Sequence, residues 1–324
     1  MSRRAHLPRI LAFSLLAASA ALAQIPKPPW ASGSSGQKPA DDPAVAIKVH
    51  VKLVSAYVTV TDQRGAPVAN LTKDNFSLFE DGVAQEISVF DKESALPISV
   101  VLDIDTSLST RKDLPLELTS AKRFVHDILR PVDALSLYEF SEVVDEVVPF
   151  TADMKTIDHG IEHVHHGAAT ALYDAIYLGS QALEKRQGRK VMVVITDGGD
   201  TASKVDYQEA VRAAQEADAI VYSIIDVPIE ASAGRDLGGE HALIQISEDT
   251  GGKYFYATTV PQMDEAFRQI SDELRTQYLL GYYPVRRLAD SDFRRIQVKV
   301  SGTNSSPNFK IRHRAGYYTS KSRF

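Results

Sequence analysis

Between about Pro97 and Thr276 the apolar residues come in unbroken runs: Ile98-Ser99-Val100-Val101-Leu102, Val191-Met192-Val193-Val194-Ile195 and residues 220–225. A strand with one wet face alternates apolar and polar residues. One that is apolar throughout must be covered on both faces, which means a mostly parallel sheet with helices on either side. The segments between the runs have helical spacing. Over 114–129, Leu114, Leu118, Ala121, Val125 and Ile128 share one face, and Arg130-Pro131 ends the pattern. Further helices are expected at 172–185, with Gly188 as its cap, and at 207–217, 243–248 and 263–274. A strand is expected at 253–256, and 134–140 with 146–150 form an edge hairpin. The block 97–276 therefore reads as a doubly wound, six-stranded α/β layer.

On both sides of this block the grammar is alternation. Ile47, Val49, Val51 and Leu53 stand against Lys48, His50 and Lys52, and Tyr57-Val58-Thr59-Val60-Thr61 precedes the turn Asp62-Gln63-Arg64-Gly65. Residues 76–80, the turn Asp81-Gly82 and 85–90 continue it, and it returns in 278–284, 295–300 and 309–312. Neither flank alone has enough strands to cover its apolar face. Segments 46–96 and 277–319 are therefore expected to form one small β-sandwich-like domain into which the α/β block is inserted, with 320–324 a tail.

Arg3, Arg4 and Arg9 precede an apolar run over 10–22 closed by Ala21-Leu22-Ala23, the layout of a cleavable secretory signal covering 1–23. The run is shorter than the ~20 residues of a spanning helix. Residues 24–45, rich in Pro, Gly and Ser, read as a flexible linker. A periplasmic or secreted bacterial protein without a transmembrane segment is expected. The absence of cysteine excludes disulfides, thiolate metal sites and a cysteine nucleophile. The formal charge of −6 is not a nucleic-acid binder's balance. Residues 286–324 nevertheless carry ten Lys/Arg against Asp290 and Asp292, which reads as a basic strand face docked on an acidic body.

In a doubly wound sheet, ligands sit in the crevice at the carboxyl ends of the strands. Three oxygen-rich loops fall there: Asp103-Ile104-Asp105-Thr106-Ser107-Leu108-Ser109, Gly167-Ala168-Ala169-Thr170, and Thr196-Asp197-Gly198-Gly199-Asp200. Their polar side chains are carboxylates and hydroxyls, the donors that hard cations prefer. One divalent cation is expected there, Mg²⁺ foremost and Ca²⁺ or Mn²⁺ as alternatives, with a coordination position left for a partner's carboxylate.

Asp105-x-Ser107-x-Ser109, Thr170 and Asp197, in that order on one predicted face, resemble the metal-ion-dependent adhesion site of von Willebrand factor type A domains. Asn70-Leu71-Thr72-Lys73-Asp74-Asn75-Phe76 and Tyr278-Leu279-Leu280-Gly281-Tyr282 are similar to stretches of a secreted bacterial group in which such a domain sits between β-segments. The resemblance implies that Asp105, Ser107 and Ser109 hold the metal directly or through water. It implies that Thr170 joins them in a ligand-bound state and that Asp197 acts at one remove. Leu108 and Thr110 depart from the Gly and Met that many bacterial members carry around the last serine.

Several rival readings start from the same residues. Asp103-Ile104-Asp105-Thr106-Ser107 resembles the nucleophile loop of haloacid dehalogenase-type phosphatases, in which Asp103 would attack phosphorus, Asp105 act as general acid, and Mg²⁺ sit beside Asp197. That reading leaves Ser109 and Thr170 without purpose and lacks a lysine at a following strand end. Asp103 is expected instead to orient nearby loop donors. A calcium-hand loop from Asp103 fails at Leu108 and Leu114. His163, His165 and His166 suggest zinc or copper, but a solvated loop beside the binding face, able to sense pH, is preferred. No serine is framed as a hydrolase elbow, and Tyr282-Tyr283 and Tyr317-Tyr318 read as strand faces rather than a sugar platform. The sequence thus points to a non-enzymatic, cation-dependent protein-binding module whose partner presents an acidic side chain, with a metal-free structural envelope protein as the other non-catalytic alternative.

Overall fold

The computed structural model describes residues 53–92, 96–110, 114–226, 237–286, 293–301 and 309–319. The expected signal, linker and first alternating residues (1–52) and the tail 320–324 lie outside them. In chain order, the first flank supplies β1 (Val54–Thr61), β2 (Phe76–Glu80), β3 (Val83–Gln85) and β4 (Ile87–Lys92). The central block supplies β5 (Ile98–Asp105), α1 (Leu114–Ile128), β6 (Ala134–Phe140), β7 (Val144–Thr151), α2 (Met154–Glu162), α3 (Leu172–Glu184) and β8 (Arg189–Thr196). It continues with α4 (Tyr207–Glu216), β9 (Ala219–Ile225), α5 (Leu237–Thr250), β10 (Tyr254–Tyr256) and α6 (Val260–Thr276). The second flank adds β11 (Tyr278–Tyr282), β12 (Phe293–Val300), β13 (Lys310–Arg312) and β14 (Gly316–Tyr318).

The central sheet has the order β10-β9-β8-β5-β6-β7, parallel except for the antiparallel edge strand β7. Every residue of β5 is buried, as an apolar run covered on both faces requires. Successive side chains on a strand point to opposite faces. Val100, Leu102 and Ile104 pack with α1, α2 and α6, whereas Val101 packs with Met192, Val194 and the buried faces of α3, α4 and α5. The neighbours β6 and β8 lie on opposite sides of β5, and the helices after β5 and β8 cover opposite faces. The crevice between the carboxyl ends of β5 and β8 is therefore the switch point of the sheet.

The flanks build two further sheets, β13-β1-β11-β4 and β14-β12-β2-β3. Each mixes strands from both sides of the central block: β1 pairs antiparallel with β11 and β2 with β12. One apolar core joins Val58, Phe76 and Leu78 to Tyr278, Leu280, Ile296 and Tyr317. On β12 the alternation is plain, with Ile296 and Val298 buried and Arg295 and Gln297 exposed. Three residues of the basic C-terminal stretch pair with acids across the fold, Arg294 with Asp81, Arg312 with Glu273 and Arg314 with Asp218.

Three local expectations change. Helix α2 was not anticipated. Only Ile157, Gly160 and Ile161 are buried along it, and Gly160 lets it press on β7: a Cβ there would stand 2.2 Å from a Val148 methyl. Helix α5 begins at Leu237, six residues before the expected start. Gly188 does not cap α3, whose cap is Lys185. With φ at +84° it turns the chain into β8 against the Pro97 carbonyl, which accepts the Arg189 N–H.

Candidate functional site

The chain leaves β5 in a tight bend that Asp105 organises. Its Oδ1 accepts the Ser107 N–H at 2.8 Å, the side-chain-to-backbone bond that lets Asp nucleate a turn. Its Oδ2 accepts the Thr196 hydroxyl at 2.6 Å, so the ends of β5 and β8 are tied together beneath the crevice. Thr196 Oγ1 in turn accepts the Gly198 N–H at 3.1 Å, which shapes the loop carrying Asp197. The bend brings Ser107 Oγ and Ser109 Oγ to 3.1 Å from each other. Thr110 closes it by donating to the carbonyls of Asp105 and Ser107, while Leu108 points out, 61% exposed.

Thr170 is buried and arrives on a separately anchored loop. Gly167 N–H donates to Thr106 O, and Ala171 N–H to Ser141 O. The exposed Glu142 carboxylate accepts from the N–H groups of Ala168 and Ala169, bonds that hold its pKa below the usual carboxylate range. Thr170 is also laced to the loop after β8: its N–H donates to Thr201 Oγ1, and its carbonyl accepts from Thr201 and Ala202. Asp200 receives the Tyr173 N–H in the first turn of α3. Gly198 serves both backbone and packing. Its φ is +96°, and a Cβ would come within 3.2 Å of the Glu240 N–H nitrogen on α5.

Asp105 is fully buried, and burial pushes its carboxyl up to about 6. The nearby charge of Asp197 adds to the rise, and the hydrogen bonds from Thr196 and Ser107 oppose it. The crevice thus gathers two mutually repelling carboxylates with hydroxyls at their side, a donor set suited to a hard divalent cation. The serine hydroxyl spacing fits as well, since adjacent ligands of octahedral Mg²⁺ stand about 2.9 Å apart. Among the described residues no three His, Cys, Asp or Glu side chains come together to hold a metal, so any cation here depends on the hydroxyls.

Asp103 does not orient loop donors. It shares a strand face with Val101 and Asp105 but lies two residues deeper within β5, under α3, where it is fully buried and neither carboxylate oxygen has a hydrogen-bond partner. A Cβ on Gly179 of α3 would stand 3.4 Å from its Oδ2 and 2.8 Å from the Met192 methyl. Desolvation raises its pKa well above the carboxylate range. A nucleophile needs access to its substrate, and this carboxyl has none.

The histidines beside the crevice separate: His165 is bound to Glu139 through both its backbone N–H and its ring, while the His163 ring lies tilted against that of His159, one turn earlier on α2. The positioning groups Thr196, Glu142 and Thr110 carried no sequence signal of their own, because their roles depend on strand register and loop contacts.

No curated protein matches the chain. Solved structures with similar folds include BatB from Bacteroides thetaiotaomicron, at 21% identity over 55% of this chain and 100% of that one, with a TM-score of 0.44. A von Willebrand factor type A protein from Catenulispora acidiphila shares 11% identity over 82% and 72% of the two chains, with a TM-score of 0.48. The vWF domain of the type V pili tip protein Mfa5 from Porphyromonas gingivalis shares 14% over 54% and 94%, with a TM-score of 0.43. Residues 100–199, which run from β5 through the Asp197 loop, match the family model of the von Willebrand factor type A domain. The chain therefore carries a von Willebrand factor type A domain.

Proposed function

We propose that the chain is an exported, non-enzymatic binding module in which Asp105, Ser107, Ser109, Thr170 and Asp197 hold one divalent cation, Mg²⁺ by preference, and present it to an acidic side chain of a protein partner. The observation that carries this reading is the pair of serine hydroxyls 3.1 Å apart beside the buried Asp105 carboxylate. Asp105 is poised for a cation: its burial is unfavourable to the ionised form, and a bound metal would reverse that balance. Ser107, Ser109 and Thr170 would supply neutral oxygens, and a coordination position left open on the cation would take the partner's carboxylate. The bacterial pilus-tip domain among the similar folds is in keeping with adhesion or assembly. Export rests on the order of basic, apolar and small residues over 1–23, and among the described residues no helix is long and apolar enough to cross a membrane.

Calorimetric titration with Mg²⁺, Ca²⁺ and Mn²⁺ tests the reading. Saturable one-site binding that disappears in both Asp105→Ala and Ser107→Ala supports it. Absence of heat, together with no metal-dependent shift in unfolding temperature, rejects it and leaves a structural protein.

A further inference from the structure

Helix α2 carries two imidazoles one turn apart on its exposed side. The ring centroids of His159 and His163 lie 4.0 Å apart at an interplanar angle of 43°. His163 caps the helix, and its Nδ1 stands 2.7 Å from the His159 carbonyl oxygen. A carbonyl only accepts, so the proton of the neutral ring sits on Nδ1 and Nε2 keeps a lone pair. Two nearby histidines instead face carboxylates: His126 Nε2 lies 3.1 Å from Asp158, and His165 Nδ1 lies 3.0 Å from Glu139.

Two histidines at positions i and i+4 of a helix share a face and grip one metal ion, as the zinc-binding helix of metalloproteases does. Zn–N bonds of about 2.0–2.1 Å at a tetrahedral angle put the two nitrogens about 3.3 Å apart. Rings whose centres are 4.0 Å apart reach that spacing by side-chain rotation. Two further features favour a cation there. The pair comprises a residue of the last turn of α2 and its C-cap, where the carbonyl end of the helix dipole is negative. Glu162, kept ionised by Lys122, lies within electrostatic reach of both rings.

We propose that His159 and His163 form a second metal site, for a borderline divalent cation such as Zn²⁺, Cu²⁺ or Ni²⁺, with water completing the coordination. No third His, Cys, Asp or Glu joins them among the described residues. The ligand chemistry separates this site from the oxygen-lined crevice: imidazole selects Zn, Cu and Ni, whereas carboxylate, hydroxyl and water select Mg²⁺ and Ca²⁺. The two cations would not compete. The site also has a place in the fold, because the segment that leaves His163 runs directly to Gly167 and Thr170 in the crevice wall. A metal clamping the last turn of α2 fixes the point from which that segment departs.

The test is equilibrium dialysis of the full chain, free of any affinity tag, against Zn²⁺ at pH 7.5, with Cu²⁺ paramagnetic resonance to identify the ligands. The expected result is one equivalent of Zn²⁺ bound and a nitrogen hyperfine pattern from two imidazoles. Affinity should fall at least tenfold in His159→Gln and His163→Gln. It should hold in His126→Gln, in Asp105→Ala and under saturating Mg²⁺. His159→Gln is the cleaner variant, since the His163 ring also bonds the helix backbone. No uptake, uptake unchanged in His159→Gln, or Zn²⁺ displaced by Mg²⁺ or lost in Asp105→Ala would each overturn the proposal.

Discussion

Thr196 donates its hydroxyl to Asp105 across 2.6 Å, and through that bond the ends of the two central strands carry the candidate site together. Groups that orient a metal ligand without touching the metal typically change affinity 10–100-fold when removed. Thr196→Val keeps the shape of the side chain and deletes the donor. It also strips Gly198 N–H of its acceptor. The expected outcome is a Mg²⁺ affinity at least tenfold weaker by calorimetry, with the crevice residues otherwise in place. An unchanged affinity would show that Asp105 is positioned by the bend alone.

The raised Asp105 carboxyl gives two opposite pH dependences. The folded state binds this proton more tightly, with a pKa near 6 against 3.8 for the free side chain, so without metal Asp105 destabilises the fold as pH rises from about 4 to about 6. Above that window the penalty is constant, on the order of 2–3 kcal/mol. Asp105→Asn removes the charge and should raise the unfolding temperature of the chelated protein at pH 7.5, while the gap to wild type closes toward pH 4. Metal binding runs the other way. It needs the ionised carboxylate, so wild-type affinity should climb as pH rises through about 6 and then level off.

Asp103 offers a separate test, because it lies only two residues before Asp105 yet within β5, below the crevice. Both oxygens are buried without a partner, a condition that costs about 1–3 kcal/mol per unsatisfied group. Val is a residue that a buried parallel strand favours, and its side chain is close to that of Asp in size. Asp103→Val should therefore raise the urea midpoint while leaving Mg²⁺ affinity within about twofold. A phosphatase using Asp103 would instead lose all activity in this variant, so phosphate release by wild type that vanishes in Asp103→Val would favour the enzyme reading.

The layers of the fold were legible because β5 and β8 are apolar along their whole length, and only a sheet covered on both faces has a use for such strands. The three crevice loops followed from where those strands end. What the sequence hid depends on register and on short elements. Thr196 reads as a loop residue until β5 pairs with β8 and sets it opposite Asp105. Asp103 reads as a crevice residue until β5 runs on to Asp105 and leaves it inside the strand, under α3. Helix α2 is short and has a glycine inside it, with apolar contacts only at Met154, Ile157 and Ile161, so the sequence does not show that His159 and His163 are neighbours. Gly238 and Gly239 argue against helix on propensity, yet α5 starts before them.

The sandwich built from the flanks is keyed by a shared acceptor. Glu80 on β2 is 1% exposed, and its Oε2 accepts the hydroxyls of Tyr282 on β11 and Tyr317 on β14, each at 2.8 Å. Tyr282 comes from the opposite sheet, so this one side chain links both sheets and both ends of the chain. Tyr282→Phe or Tyr317→Phe leaves Glu80 with one donor and should cost about 1–3 kcal/mol of stability in urea unfolding. The double variant strips the last donor from that oxygen. It should therefore cost more than the two single losses added, a coupling that a double-mutant cycle reads directly. Strict additivity would mean that Glu80 finds another donor when the tyrosines are gone. Mg²⁺ affinity should be unchanged in all three variants, because the crevice lies on the central six-stranded sheet and none of its bonds reaches Glu80.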